Sequence, residues 1–323
     1  MTSPSQAAAS AHTAGAAAAS ARRSGALPVS RRRRHLTATV SAYALVVPAA
    51  LFYIAFVVSP IVRTAQYSLY DWDGISPAVW SGLANYVEVF ANPTLVGSIL
   101  NSFELIIYFS IVPVVLGLFA ANVIRGIATS RLAIVARTVL FLPQVIPLVA
   151  AGIMWTWMLS TKGTINQLLE LIGLGGIARA WLGDTQTALP AVGLIGAWVQ
   201  LGLCLLLLLA GMTKIDPTLY EAARIDGAGP VREFFSITLP SLRQELAVCV
   251  TITVISALAS FDIIYISTQG GPANSTLVPG LQIYYLAFFQ RDIGTASALA
   301  MVLMLLVLIV VLPLQRILRG RDA

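Results

Sequence analysis

Six apolar runs, each about as long as a bilayer core is thick, dominate this sequence: about 39–62, 98–124, 133–159, 189–212, 244–267 and 293–314. A helix needs roughly twenty apolar residues to cross the hydrocarbon, so runs of this length predict membrane-spanning helices. Composition agrees: 58% of residues are hydrophobic and 11% charged, against roughly 25% charged in soluble domains. The fold class expected is all-α, a polytopic membrane protein with six transmembrane helices.

A net charge of +6 invites a nucleic-acid reading, but the placement of the cations argues against it. Arg22, Arg23 and Arg31 to Arg34 crowd a tail rich in Ala and Ser. Such a run suits a solvated anchor beside anionic lipid, and no nucleic-acid partner is expected. The tail, 1–36, is expected to be disordered and cytoplasmic, and not a cleaved signal, because a full-length span follows it. A membrane domain would then occupy 37–317, with a cytoplasmic C-terminus at 318–323. Cys204 and Cys249 fall inside separate apolar runs and read as free core thiols.

Orientation follows from charge. With the N-terminus inside, the inner segments hold the six tail arginines, Arg125, Arg131, Arg137, Lys214, Arg224, Arg232, Arg243, Arg316, Arg319 and Arg321: sixteen of twenty cations. Only Arg63, Lys162, Arg179 and Arg291 remain outside. Lys and Arg accumulate on the cytoplasmic side, so both termini and the 213–240 loop are placed there, in the cell membrane. The outer segment 63–97 carries Tyr67, Tyr70, Trp72, Trp80 and Tyr86, residues suited to the membrane–water interface. Residues 160–188 are expected to hold a short interfacial helix. The stretch 268–290 opens on the turn-rich "TQGGPANSTLVPG".

The loop between the fourth and fifth runs is out of character. "EAARIDGAGPVREFFSITLP", Glu221 to Pro240, packs three acids and two arginines among greasy neighbours. Asp216-Pro217 is a helix start, an Asp cap followed by proline at the first helical position. Gly227 can supply the left-handed residue that ends the helix, and Pro230 can open a second one through Ile237. Pro240 is expected to end that one, with Ser241 and Gln244 capping the fifth run. Tyr220, Ala223 and Arg224 share one face of the first helix, with Glu221 and Ile225 on the next stripe. Such a hairpin either docks into a groove on a soluble partner or folds back on its own membrane domain.

These residues carry a resemblance. Glu221-Ala222-Ala223, Gly227, Ile237, Leu239 and Pro240 match, at fixed spacing, the EAA loop of ATP-binding cassette (ABC) importer permeases, and Asp226-Gly227-Ala228 is common in the sugar-permease branch. The likeness extends over roughly 40–315, through "FLPQVIPLVAAGIMWTWML" and "GTIN", with Pro143, Pro147, Trp155, Gly163 and Asn166 in family-like positions, and through "STQGGPANST" and "GTASALAMVLMLLVLIV". It implies a cytoplasmic EAA coupling-helix loop at 213–240, in which Glu221, Ala222, Ala223, Asp226, Gly227, Ile237, Leu239 and Pro240 engage an ATPase subunit. It also implies partners: a second permease, two copies of an ABC ATPase and an extracytoplasmic solute-binding protein. The chain resembles the maltose-type subunit that supplies most sugar contacts, without that relative's extra N-terminal spans and large outer domain.

Enzymatic readings find little support. A P-loop needs Lys directly after Gly, whereas Lys162 follows Thr161 and Lys214 follows Thr213. ATP hydrolysis is therefore assigned to a partner chain, and no cofactor of the chain's own is expected. Both histidines, His12 and His35, lie in the tail, which removes a membrane-embedded Ser–His site or His metal cluster. "DWD", Asp71 to Asp73, imitates an acidic metal motif but is read as a polar interfacial turn.

For a substrate path the candidates are Trp198 and Gln200 in the fourth run and Thr253, Ser256 and Ser260 in the fifth. The last three share a helix face, and their positions resemble those lining the sugar pocket of maltose-type relatives. An aromatic face with amide and hydroxyl groups suits a neutral saccharide. The same hydroxyls equally suit bonding to their own helix backbone or helix packing. Ala257 stands where a relative offers a polar side chain. Glu104 and Asp262, the two acids well inside runs, lie near the outer ends of their helices, which suits snorkelling or packing better than a deep cation site. Two alternatives stay open: a permease of the same class for another solute, such as glycerol phosphate, and an ion-coupled secondary carrier.

Overall fold

A computed structural model describes residues 45–127 and 130–319, with side chains to 317. The basic tail, 1–36, and residues 320–323 lie outside the described residues. Cα packing separates Met1–Ile61 from Val62–Ala323. In the first unit the described residues 45–61 are helical and none is buried. They belong to α1, Leu45–Tyr67, whose apolar side chains suit contact with lipid.

Within the second unit a two-residue hairpin, β1 (Tyr70–Asp71) with β2 (Val79–Trp80), pairs antiparallel with Tyr70 opposite Trp80. Asn85 ties it down, its amide donating to the Ser68 and Tyr70 carbonyls, both at 2.9 Å. Asn85 sits on α2 (Ala84–Ala91), and α3 (Pro93–Gly126) follows, started by Asn92, whose side chain accepts from the Thr94 N–H.

The third apolar run was expected to be one span over 133–159. Instead it forms α4 (Arg131–Val145) and α5 (Leu148–Met158), bent by 102°. Pro147 is the cause. Its ring pushes the preceding residue out of helical conformation, and Ile146 is extended at φ −76°, ψ 127°. A short helix, α6 (Thr164–Leu171), lies in the following loop. Asn166 is buried there and donates to the Ser160, Thr161 and Arg179 carbonyls while accepting from the Trp181 indole. Asn166 thereby supplies the hydrogen bonds that the irregular backbone of this loop lacks.

The fourth run forms α7 (Ala188–Met212), the most deeply buried long helix among the described residues. It packs against α3 and α4. One core cluster gathers Leu105, Phe109, Val192 and Ile195 with Ile263, Ile264 and Leu281, and another gathers Ala121, Ile124 and Ala133 with Leu205, Leu208 and Cys249. Both cysteines are free and buried in the second cluster.

The loop after α7 forms α8 (Pro217–Ile225) and α9 (Pro230–Ser241). Then α10 (Arg243–Leu258) leaves at 71° to α9. The capping expected from Ser241 and Gln244 is replaced by a different bond: the Ser241 hydroxyl donates back to the Ile237 carbonyl, and Leu242 stands at the N-cap of α10 with no side-chain cap bond. The fifth run, expected over 244–267, is also interrupted. After α10 the chain breaks at 259–261 before α11 (Asp262–Ser267). α12 (Pro279–Tyr285) and α13 (Ile293–Arg319) complete the described elements. Four helices are thus long and apolar enough to cross a membrane unaided, and two bent pairs bring the number to as many as six.

Candidate functional site

The helix breaks converge on one place. A cavity of about 480 Å³ is bounded by the α4–α5 bend (Gln144, Ile146, Leu148), by one face of α7 (Gly196, Val199, Gln200, Leu203), and by the α10–α11 interruption from Ile252 to Ile263. Phe109 of α3 also lines it. Irregular backbone at membrane depth is tolerated only where protein buries it or where it borders a wet cavity. Discontinuous helices lining a mid-membrane cavity are a recurring way to build a transport site. Gln144 and Ser260 add to this. The Gln144 Oε1 and Ser260 Oγ atoms are buried, border the cavity, and have no partner in the structure. A buried polar atom without a partner forfeits about 1–3 kcal/mol.

The sequence-derived path residues divide here. Gln200, Ser256 and Ser260 line the cavity. Trp198 does not; its ring meets Trp155 edge-on, with centroids 5.5 Å apart. Thr253 is fully buried, donates to the Cys249 carbonyl at 2.8 Å, and has the Ser110 hydroxyl 2.7 Å away. That geometry is helix packing between α10 and α3. Gln144 was overlooked, although its place just before the Val145-Ile146-Pro147 bend could have drawn attention. Asp262, expected to snorkel or to pack between helices, opens α11, is exposed, and is among the residues that line the cavity. Glu104, also expected near a helix end, lies eleven residues inside α3 and is exposed.

The α8–α9 hairpin is the second constellation. Asp216 caps α8 by accepting from the Thr218 N–H at 2.9 Å, and these bonds hold its carboxyl below the usual range. Gly227 ends the helix in the left-handed region, at φ +79°, where a β-carbon would be strained. Three contacts brace the pair. The Arg224 Nε donates to Glu233 Oε1 at 2.9 Å, Tyr220 and Thr238 share a 2.9 Å hydrogen bond, and the Arg125 guanidinium lies 4.1 Å from the Tyr220 ring centre. Hydrogen bonding to Glu233 pushes the Arg224 pKa up, so the guanidinium keeps its charge. Arg125 ends α3, which ties the hairpin to the bundle.

With its inner face used in bracing, the hairpin shows its other face to solvent. Glu221, Ala222, Asp226, Gly227 and Pro240 are exposed, while Ala223, Ile237 and Leu239 are half-buried. Beside them Leu219, Ile225, Val231 and Phe235 are at least half exposed, Ile225 at 86%. Ala223, Asp226, Arg232 and Ile237 border a notch of about 170 Å³.

A bundle of interrupted helices around a polar-lined cavity, with a braced hairpin at one end, has the form of a membrane transport subunit. Comparison with known families agrees: residues 113–320 match the profile of the binding-protein-dependent transport system inner membrane component. The chain is 36% identical to a probable ABC transporter permease protein, YurN, of Bacillus subtilis, over 81% of this chain and 90% of that one. It is 33% identical to the diacetylchitobiose uptake system permease protein NgcF of Streptomyces coelicolor, over 84% and 81%. The fold superposes on a chain of a solved bacterial importer of the acidic polysaccharide alginate with a TM-score of 0.76, at 23% identity, covering 91% of this chain and 100% of that one. This chain belongs to the binding-protein-dependent transport system inner membrane components, the multi-pass permease subunits of ABC importers.

Proposed function

We propose that this chain is the permease subunit of an importer for a sugar, mono- or oligosaccharide, with the α8–α9 hairpin as its coupling to a separate ATPase. The observation that carries the reading is the hairpin itself: motif residues Glu221, Ala222, Asp226 and Gly227 stand exposed beside Ile225 and Phe235 on a unit braced to α3. An exposed apolar edge rimmed by acids, on a rigid base, suits docking into a groove. A loop that folded back on its own membrane domain would bury those side chains.

On this reading the hairpin is cytoplasmic, both termini are inside, and the α4–α5 pair and the α10–α11 stretch each count as one span, giving six. A second permease encloses the other side of the path, two ATPase copies supply hydrolysis, and a solute-binding protein delivers the sugar outside. Nucleotide-driven closure of the ATPase pair moves the hairpin, and the bracing passes that motion to α3 and α10 as a rigid-body switch of access. Gln200, Ser256 and Ser260 contact the substrate in the cavity. The diacetylchitobiose relative and the amide and hydroxyl lining support a saccharide, whereas a phosphate ester would want basic lining residues, and none of the described residues that line the cavity is basic.

The test is uptake with point variants. Glu221→Lys and Gly227→Pro are expected to lower sugar uptake at least about hundredfold while leaving the chain inserted at normal levels. Normal uptake in both would remove the coupling role.

A further inference from the structure

Asp262 is the one charged residue among the sixteen that line the central cavity; the others are apolar or carry neutral amide and hydroxyl groups. It is exposed rather than packed away, lines the cavity, and takes part in none of the ion pairs formed among the described residues. We infer that Asp262 sets the charge selectivity of the path: the cavity admits neutral and cationic saccharides and rejects anionic ones such as uronates. The inference rests on the reading of this cavity as the sugar path, and deepens it by naming the substrate class.

The physical case is simple. A saccharide that fills a cavity of about 480 Å³ has no room to keep all its groups far from any one wall. A carboxylate held some 6 Å from Asp262 in a partly dehydrated site suffers a repulsion worth about tenfold to a hundredfold in affinity, and an ammonium gains by a similar factor. Among the described residues no arginine or lysine lines this chain's side of the cavity to offset this. The neutral lining, Gln144, Gln200, Ser256 and Ser260, bonds hydroxyls of any sugar alike, so it contributes affinity without deciding charge. The fold itself imposes no sign, since an alginate importer shares it.

The experiment uses the importer complex isolated from its own membranes by a tag on this chain, in nanodiscs at pH 6, without the solute-binding protein. Saturation-transfer NMR is recorded with three defined probes: N,N′-diacetylchitobiose (neutral), chitobiose (cationic) and digalacturonate (anionic). Chitobiose and diacetylchitobiose are expected to bind, with digalacturonate at least about tenfold weaker. Asp262→Asn is expected to bring all three within about threefold of one another, and Asp262→Glu to keep the order. Equal binding of digalacturonate and diacetylchitobiose to the unaltered chain, or an order unchanged by Asp262→Asn, overturns the inference alone. Silence from all three probes overturns the sugar path and the inference together.

Discussion

Asp73 holds its charge for the sake of its own turn. The Ile75 and Ser76 N–H groups and the Ser76 hydroxyl all donate to its Oδ1, at 2.9, 2.7 and 2.7 Å. These bonds favour the carboxylate and lower its pKa from 3.8 to about 2. The depressed value means that the turn's stabilisation is fully present above about 3.8 and is lost as pH falls through about 2. Amide protection at residues 75 and 76, followed by hydrogen exchange and corrected for intrinsic rates, is expected to stay level from pH 7 to pH 4. A loss already at pH 5 would contradict the geometry. Thr253 shows the opposite fate of a polar side chain. Helix periodicity put it on one stripe with Ser256 and Ser260, and that much could be read from spacing. Spacing could not show that the cavity stops short of it, or that Ser110 of α3 stands opposite. Thr253→Val is therefore expected to cost about 1 kcal/mol of stability, seen in thermal unfolding, with uptake unchanged. Lost transport at normal stability would put Thr253 in the path after all.

Among the elements, the long straight runs were the most legible, because twenty apolar residues leave a helix few alternatives: α7 covers Ala188–Met212 where 189–212 was expected. Interruptions were harder to read, since hydropathy does not change at a bend. Proline marks several of them. Three widened helical turns, Ile54–Val58, Ile107–Ile111 and Phe234–Thr238, each end two residues before a proline: Pro60, Pro113 and Pro240. A proline ring collides with the carbonyl four residues back and lacks the N–H to bond it. In each case that carbonyl, of Phe56, Phe109 or Ser236, belongs to the widened turn, which moves it aside without ending the helix. Pro240 was expected to stop α9, and this is why the helix runs on to Ser241. Close packing is the other element-scale device. A β-carbon on Gly202 of α7 would meet the Phe141 Cα at 2.9 Å and the Leu140 carbonyl oxygen at 3.0 Å, both α4 backbone. Gly202→Val is expected to lower stability by about 1–3 kcal/mol, measured as a drop in thermal midpoint. An unchanged midpoint would mean that α4 and α7 separate freely.

At the scale of the whole molecule, the charge asymmetry and the hairpin motif were both legible in the sequence. The cavity was not, because it exists only where two helix breaks distant in sequence, near Pro147 and at 259–261, come together with α7. The bracing of the hairpin by Arg125 is likewise a long-range contact with no local signature. Together these features place the cavity at one position in the bundle and the exposed hairpin at another, with α3 and α10 running between them. The central claim is that the hairpin faces the cytoplasm and is covered there by a foreign ATPase. Ala222→Cys tests it directly, since Cys204 and Cys249 are buried and give little background to a membrane-impermeant maleimide. The account expects labelling in inside-out vesicles stripped of ATPase, protection when ATPase is restored, and none in intact cells. Labelling from the outside of intact cells, or equal labelling with and without ATPase, would contradict it.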